Sequence, residues 1–325
     1  MIIHNTAILP GQQATIRIPV GQLPSGNKIS IRAHVYRGPD PGPVMLALGG
    51  VHGDEINGVE ILRRAIHLGY FEQIRRGAVI AIPLLNIYGF INYSRDVPDG
   101  KDVNRSFPGN AQGSLASRVA RLLTRKILPN IDFGIDFHTG GRNHYNFPQI
   151  RFTKGDPKAL ELATQFGAPF SLSSKPISKS FRKAALDKGK TIIVFEGGEN
   201  LRYDGVSIST ALDGLNRVMA GQGLIDQDAP ASRGRILPEN EWIRAPKAGM
   251  FLWQKCSGQP IVKGEPLGLL NDPFGEEPST RIYAPRDGFI IGHNNAPVVS
   301  PGDALYHIGF GDHDAPVATR RTRKK

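Results

Sequence analysis

Residues 46–60, LALGGVHGDEINGVE, run from a short apolar strand through a glycine-rich turn into an amphipathic helix. His52 and Glu55 stand three positions apart at that turn. This spacing lets an imidazole nitrogen and a carboxylate oxygen converge on one point where the helix begins. Two such donors suit zinc, which in catalytic sites takes a third protein ligand and keeps one position open for water. Alone, the pair is equally compatible with a polar turn. The rest of the chain has to supply a third ligand, a base and a group that stabilises an anion.

Upstream, residues 1–42 read as β structure. Thr15 to Val20 and Lys28 to Tyr36 alternate Ile and Val with polar residues between Gly- and Pro-bearing turns. Pro39, Pro41 and Pro43 then punctuate the chain before a strand at Val44 to Leu48. From here strands and helices alternate, the pattern of an α/β layer. A helix is expected over Glu55 to Tyr70, a buried strand over Val79 to Leu85, and a helix capped by Ser114 that ends at Leu128. Between them, Asn86 to Gly109 is a long loop carrying Arg95, Asp102, Asn104 and Arg105, and loops of this length inside compact domains are usually functional or disordered.

Ile131 to Phe137 is a further strand and leads directly into His138 within DFHTGG. This mirrors the first stretch, with an apolar strand, a histidine at its carboxyl end, then glycines. Ligands of open α/β sheets bind outside the carboxyl ends of the strands, so His52 and His138 can meet despite their separation. Residues 157–167 and 204–220 read as helices. Thr191 to Phe195 is a β-rich run ending at Glu196, with Glu199 a rival acid three residues on. His144 reads as an exposed loop histidine, the six histidines at 4, 34, 67, 293, 307 and 313 as structural or surface residues, and Cys256 as a small buried residue.

Beyond residue 235 the alternation stops and short β-rich pieces return with an internal quasi-repeat. Ala245-Pro246-Lys247-Ala248-Gly249-Met250-Phe251 matches Ala284-Pro285-Arg286-Asp287-Gly288-Phe289-Ile290. Val262 to Leu267 matches Ser300 to Leu305 in glycine, acid and leucine. Two copies predict a pseudo-symmetric β-sandwich, similar in shape to biotinyl and lipoyl carrier domains. Asn271 to Arg281 holds no lysine for a prosthetic group, which excludes the carrier function. The expected organisation is an N-terminal β segment (1–42), a domain of alternating strands and helices that carries the candidate zinc ligands (43–235), a smaller all-β domain (236–312) and a basic tail (313–325).

The composition, 40% hydrophobic and 21% charged, is that of a globular protein, and one cysteine in 325 residues excludes an intrachain disulfide. The longest apolar stretch, Ala78 to Ile91, is interrupted and too short to span a bilayer. No signal peptide is recognised at the N-terminus, and the cytoplasm is the expected compartment. The formal net charge of +11 comes partly from RRTRKK at 320–325. Nucleic acid is not expected as a partner. A basic body is compatible with an anionic substrate, and a homo-oligomer is compatible with everything above.

HGDE, DVNRSFPG, DFHTG and FEGG, followed by an AP-x-x-G β domain, resemble in order and spacing the succinylglutamate desuccinylase/aspartoacylase family, a branch of the zinc carboxypeptidase fold. The resemblance covers most of residues 44–310. It implies a mixed sheet with flanking helices, plus a C-terminal barrel-sandwich-like domain beside the mouth of the site. It implies one zinc ion held by His52, Glu55 and His138, with Glu196 as general base. Arg95 would stabilise the oxyanion, Asn104 and Arg105 would grip a substrate carboxylate, and Asp102 would fix the His52 tautomer. The implied activity is hydrolysis of the amide of an N-acyl amino acid or related small acyl compound. A carboxypeptidase using the same residues and a catalytically idle scaffold are the alternatives.

Overall fold

The computed structural model describes residues 1–22, 25–228, 234–311 and 313–314. The basic run at 320–325 lies outside the described residues. β1 (Ile2–Ile3) and β2 (Thr6–Ala7) form a small hairpin, and β3 (Gln13–Gln22) pairs antiparallel with β4 (Lys28–Arg37). β5 (Asp40–Gly49) starts at Asp40 rather than at Val44. Pro41 and Pro43 fall where its register with the next strand slips, between Asp40↔Arg76 and Val44↔Ala78, a place where a missing N–H is tolerated. The α/β region continues with β6 (Arg76–Ile82), β7 (Phe133–Gly140), β8 (His144–Thr153), β9 (Phe170–Ser174) and β10 (Thr191–Glu199). Its helices are α1 (Ile56–His67), α2 (Ile87–Ile91), α3 (Leu115–Leu122), α4 (Pro157–Phe166), α5 (Phe181–Leu186) and α6 (Gly205–Gly221).

α1 stops at His67, short of the expected Tyr70, because Gly69 takes a left-handed φ of 71° and a 3-10 turn follows. Ser114 does cap α3, and the chain then passes through a π turn over Leu123–Ile127 before Pro129. β8 was not expected. Pro148 argues against an interior strand, but it lies where the pairing with β10 is bulged between Glu196↔Gln149 and Gly198↔Asn146.

β6, β5, β7 and β10 lie side by side and parallel at the centre of a large mixed sheet. β4 and β3 extend it antiparallel on one flank, and β8 on the other. Strand alternation divides the apolar residues between two layers. Met45, Ala47, Val79, Ala81, Ile193 and Phe195 pack with α1, α4 and α6 residues such as Leu62, Phe166 and Leu215. Leu46, Leu48, Ile80, Ile82 and Ile192 pack the opposite face with Val119, Leu123 and Phe181. Each of these larger buried side chains is worth roughly 1.5–3 kcal/mol relative to exposure. The layers therefore fix where the carboxyl ends of β5, β7 and β10 lie.

Among the described residues, the chain after 234 contains strands and no helix. They are β11 (Arg235–Leu237), β12 (Glu239–Arg244), β13 (Gly249–Trp253), β14 (Pro260–Ile261), β15 (Pro266–Asn271), β16 (Thr280–Tyr283), β17 (Gly288–Asn294), β18 (Val298–Val299), β19 (Ala304–Phe310) and β20 (His313–Asp314). The two copies of the repeat exchange strands: β13 of the first pairs with β18 of the second, and β17 of the second with β14 of the first. The backbone of Ala245 bonds Gly302 and Asp303, as that of Ala284 bonds Gly264 and Glu265. β17 also joins β8, through Gly292↔Asn146, His293↔Tyr145 and Asn294↔His144, so these strands continue the large sheet. Cys256 is exposed on a turn, not buried as the sequence suggested; its N–H donates to Gln259 Oε1. No helix among the described residues is long and apolar enough to cross a membrane.

Candidate metal centre and active site

His52 follows the carboxyl end of β5, His138 lies near that of β7, and Glu196 on β10 is in parallel register with His138. Glu55 immediately precedes α1, and its side chain makes no capping bond, so the carboxylate is free to turn toward β7. Two glycines permit the approach of α1 to the sheet. A Cβ on Gly49 would sit 2.7 Å from Gly58 O, and one on Gly58 2.6 Å from Phe137 O.

The three residues close on one focus. Glu55 Oε1 lies 2.6 Å from His52 Nδ1 and Glu55 Oε2 2.8 Å from His138 Nδ1, while the two Nδ1 atoms are 3.2 Å apart. The Thr139 N–H also donates to Glu55 Oε2 at 3.1 Å. His52, Glu55 and His138 are all buried, and their candidate donor atoms lie within 4.8 Å of one another. The far ring nitrogens face carboxylates: His52 Nε2 is 3.3 Å from Asp102 Oδ1, and His138 Nε2 is 2.9 Å from Asp136 Oδ2.

The electrostatics favour positive charge at this focus. Burial pulls the His138 imidazole toward its neutral form, but Asp136 and Glu55 outweigh it and leave its pKa well above the usual value. For His52, burial is likewise outweighed by Glu55 and Asp102, and its pKa is raised. Burial would raise the Glu55 carboxyl, yet His52 and His138 hold it well below the ordinary range. Two imidazoles that both turn Nδ1 toward one carboxylate, each backed by a second carboxylate, form a donor set suited to a divalent cation. Tetrahedral zinc with Zn–N bonds of about 2.0–2.1 Å needs nitrogen ligands roughly 3.3 Å apart, close to the 3.2 Å between the histidines. By residue type and by the spacing of the two histidines the donor set suits zinc, while the Glu55 oxygens stand at hydrogen-bond distance from both imidazoles.

Arg95 borders the focus. Its Nη1 lies 3.1 Å from both Glu55 Oε1 and His52 Nδ1, and Asp102 Oδ2 accepts from its Nε and Nη2 at 3.2 and 3.0 Å. Asp102 thus contacts both His52 and Arg95, and His52 and Arg95 together hold its carboxyl below the usual range against the opposing effect of burial. Asn104 and Arg105 line the same pocket of roughly 260 Å³. The Asn104 Oδ1 accepts the Phe181 N–H at 2.8 Å, which ties the loop to α5, and Arg105 is exposed. Glu196 also lines the pocket, with Asn146 Nδ2 donating to its Oε2 at 3.0 Å and Arg151 Nη1 3.5 Å from its Oε1. Glu199 does not line it, and its Oε2 accepts from Asn295.

Several site residues escaped the sequence reading. Asp136 is two residues before His138 on one strand, hence on the same face, and a lone acid within FGIDFH was its signal. Asn146 and Arg151 belong to the unexpected β8. Arg182 is 7% exposed with its Nη1 lacking a hydrogen-bond partner, and burial together with Arg151 lowers its pKa to about 10. His144 is no free loop residue. It lines the pocket edge-on to Trp242 of β12, with Nδ1 near Gly141 O and Nε2 near Ala304 O.

A profile of the succinylglutamate desuccinylase/aspartoacylase catalytic domain matches residues 41–221. The N-alpha-acetyl-L-2,4-diaminobutyric acid deacetylase of Halomonas elongata is 26% identical over 278 residues, 81% of each chain. The crystal structure of a succinylglutamate desuccinylase/aspartoacylase from Rhodobacter sphaeroides superposes with a TM-score of 0.82 at 25% identity, over 93% of this chain and 96% of that one. The product-bound ectoine utilization protein EutE (DoeB) of Ruegeria pomeroyi shares the fold, with a TM-score of 0.81 at 24% identity over 92% and 95% of the two chains.

Proposed function

Because this chain belongs to the succinylglutamate desuccinylase/aspartoacylase family, we propose that it is a zinc-dependent deacylase that hydrolyses the amide of a small, anionic N-acyl amino acid. The observation that carries this reading is the convergence of His52 Nδ1, His138 Nδ1 and Glu55 on one buried focus, in a pocket that also holds Glu196 and Arg95. His52, Glu55 and His138 would hold the metal, with Asp102 and Asp136 fixing the two ring orientations. When bound, zinc would supply Lewis-acid chemistry suited to activating water and an amide carbonyl. Glu196 takes the proton of the attacking water and returns it to the leaving nitrogen. Arg95, held in place by Asp102, faces the negative charge that develops on the carbonyl oxygen. Asn104 and Arg105 receive a substrate carboxylate, and the half-buried Arg151 and the buried Arg182 reinforce the preference for an anion.

We take residues 43–235 as the hydrolase unit and 236–312 as a barrel-sandwich-like unit. Trp242 from the latter lines the pocket, consistent with selection for small substrates over peptides. The test is a panel of N-acetyl, N-succinyl and N-formyl amino acids, including Nα-acetyl-2,4-diaminobutyrate, set beside short peptides and assayed with zinc-loaded protein. Amine release from at least one N-acyl amino acid, with the peptides intact, is the expected result. Release of C-terminal residues from peptides while every N-acyl amino acid survives would make the protein a carboxypeptidase. Silence on the whole panel with zinc bound would favour the scaffold.

A further inference from the structure

The two oxygens of Glu196 have different partners, and one partner leads out of the pocket to the C-terminal strands. Asn146, 4% exposed, donates Nδ2–H to Glu196 Oε2 at 3.0 Å, while Oε1 has Arg151 Nη1 at 3.5 Å. The other end of the Asn146 amide faces β17. A Cβ built on Gly292 would lie 2.9 Å from Asn146 Oδ1 and 3.2 Å from Tyr145 O. Gly292 and Asn146 are register partners at the seam where β17 joins β8.

Gly292 does not occupy the left-handed region, so backbone freedom gives no reason for glycine there. Space does. The amide of Asn146 is planar, so whatever pushes Oδ1 away also swings Nδ2, the atom that donates to Glu196 Oε2 at the pocket wall. A larger residue at 292 would therefore be felt at the Glu196 carboxylate. A proton-transferring carboxylate must keep one oxygen aimed at the reacting atoms, and a displacement of about 1 Å can cost on the order of 10²-fold in rate.

We propose that Asn146 is a positioning residue for Glu196, and that Gly292 holds the Asn146 amide in place, so that the C-terminal strands set the orientation of the base. This rests on the reading of Glu196 as the general base. The test is a double-mutant cycle on the holoenzyme, with Asn146→Ala, Gly292→Ala and the pair, measured as kcat and KM on the best substrate of the panel above. Asn146→Ala and Gly292→Ala should each lower kcat by roughly 10–10²-fold, with KM changed less than about twofold. The double variant should be no slower than Asn146→Ala alone, because the amide through which Gly292 acts is gone. Losses that multiply, a loss confined to KM, or wild-type kcat in Asn146→Ala would overturn the proposal. Asn146→Asp serves where Gly292→Ala does not fold. It keeps the size of the side chain but places an acceptor against Glu196 Oε2, so it should lose kcat at least as severely, and full kcat would equally sink the idea. A crystal structure of Gly292→Ala gives a readout without substrate: the Asn146–Glu196 hydrogen bond should be broken, and an intact bond contradicts the coupling. If Glu196→Gln itself turns over normally, the reading of the base has failed. If Glu196→Gln is inactive while the Asn146 variants are normal, only the positioning role has failed.

Discussion

Glu196→Gln is expected to bind zinc as the wild type would under the proposed function and to lose roughly 10²–10⁴-fold in kcat, the usual contribution of a positioned general base. The substitution is nearly isosteric and leaves His52, Glu55 and His138 untouched. The amide oxygen can still accept from Asn146, so the local packing should survive. What disappears is a group able to take a proton from water and return it to nitrogen. Metal content by mass spectrometry beside steady-state kinetics separates the two effects. Near-normal turnover would remove Glu196 from the mechanism. Glu199 would be a poor heir, since it bonds Asn295 and lies outside the pocket lining.

His138→Ala should lose the metal itself. One of three protein donors disappears, and Asp136 is left facing a void in place of the ring nitrogen 2.9 Å away. Glu55 also loses one of the two partners of its Oε2, keeping only the Thr139 N–H. Zinc content after dialysis should fall from stoichiometric to near background, and activity should fall with it. Equal, stoichiometric zinc in wild type and His138→Ala would take His138 out of the site. The same experiment tests how far two imidazoles separated by 86 positions act as one donor set.

Much of this site was legible because strand ends announce themselves. Apolar runs terminating in His52, His138 and Glu196 belong to β5, β7 and β10, which are neighbours and parallel, so their carboxyl ends necessarily meet. The segment from Asn86 to Gly109, read as one long loop but opening with α2, was conspicuous for its polar residues, and the structure brings Arg95 and Asp102 to His52. The less legible residues depend on pairing that sequence does not encode locally. Pro148 masked β8, and with it Asn146 and Arg151, because a bulge that accommodates proline leaves no mark of its own. Arg182 reads as one more surface cation in a basic chain until α5 folds it against the pocket. The repeat at Ala245 and Ala284 was visible. That β17 would join the sheet at Asn146 was not, since the pairing brings together residues nearly 150 positions apart.

Under the proposed function, amide hydrolysis depends on a single zinc ion at His52, Glu55 and His138. The most direct measurement strips the protein with a chelator and titrates zinc back while hydrolysis of an N-acyl amino acid is followed. Activity should vanish on stripping and return in proportion to added zinc, saturating at one equivalent per chain. Full hydrolysis by the stripped protein would contradict the account.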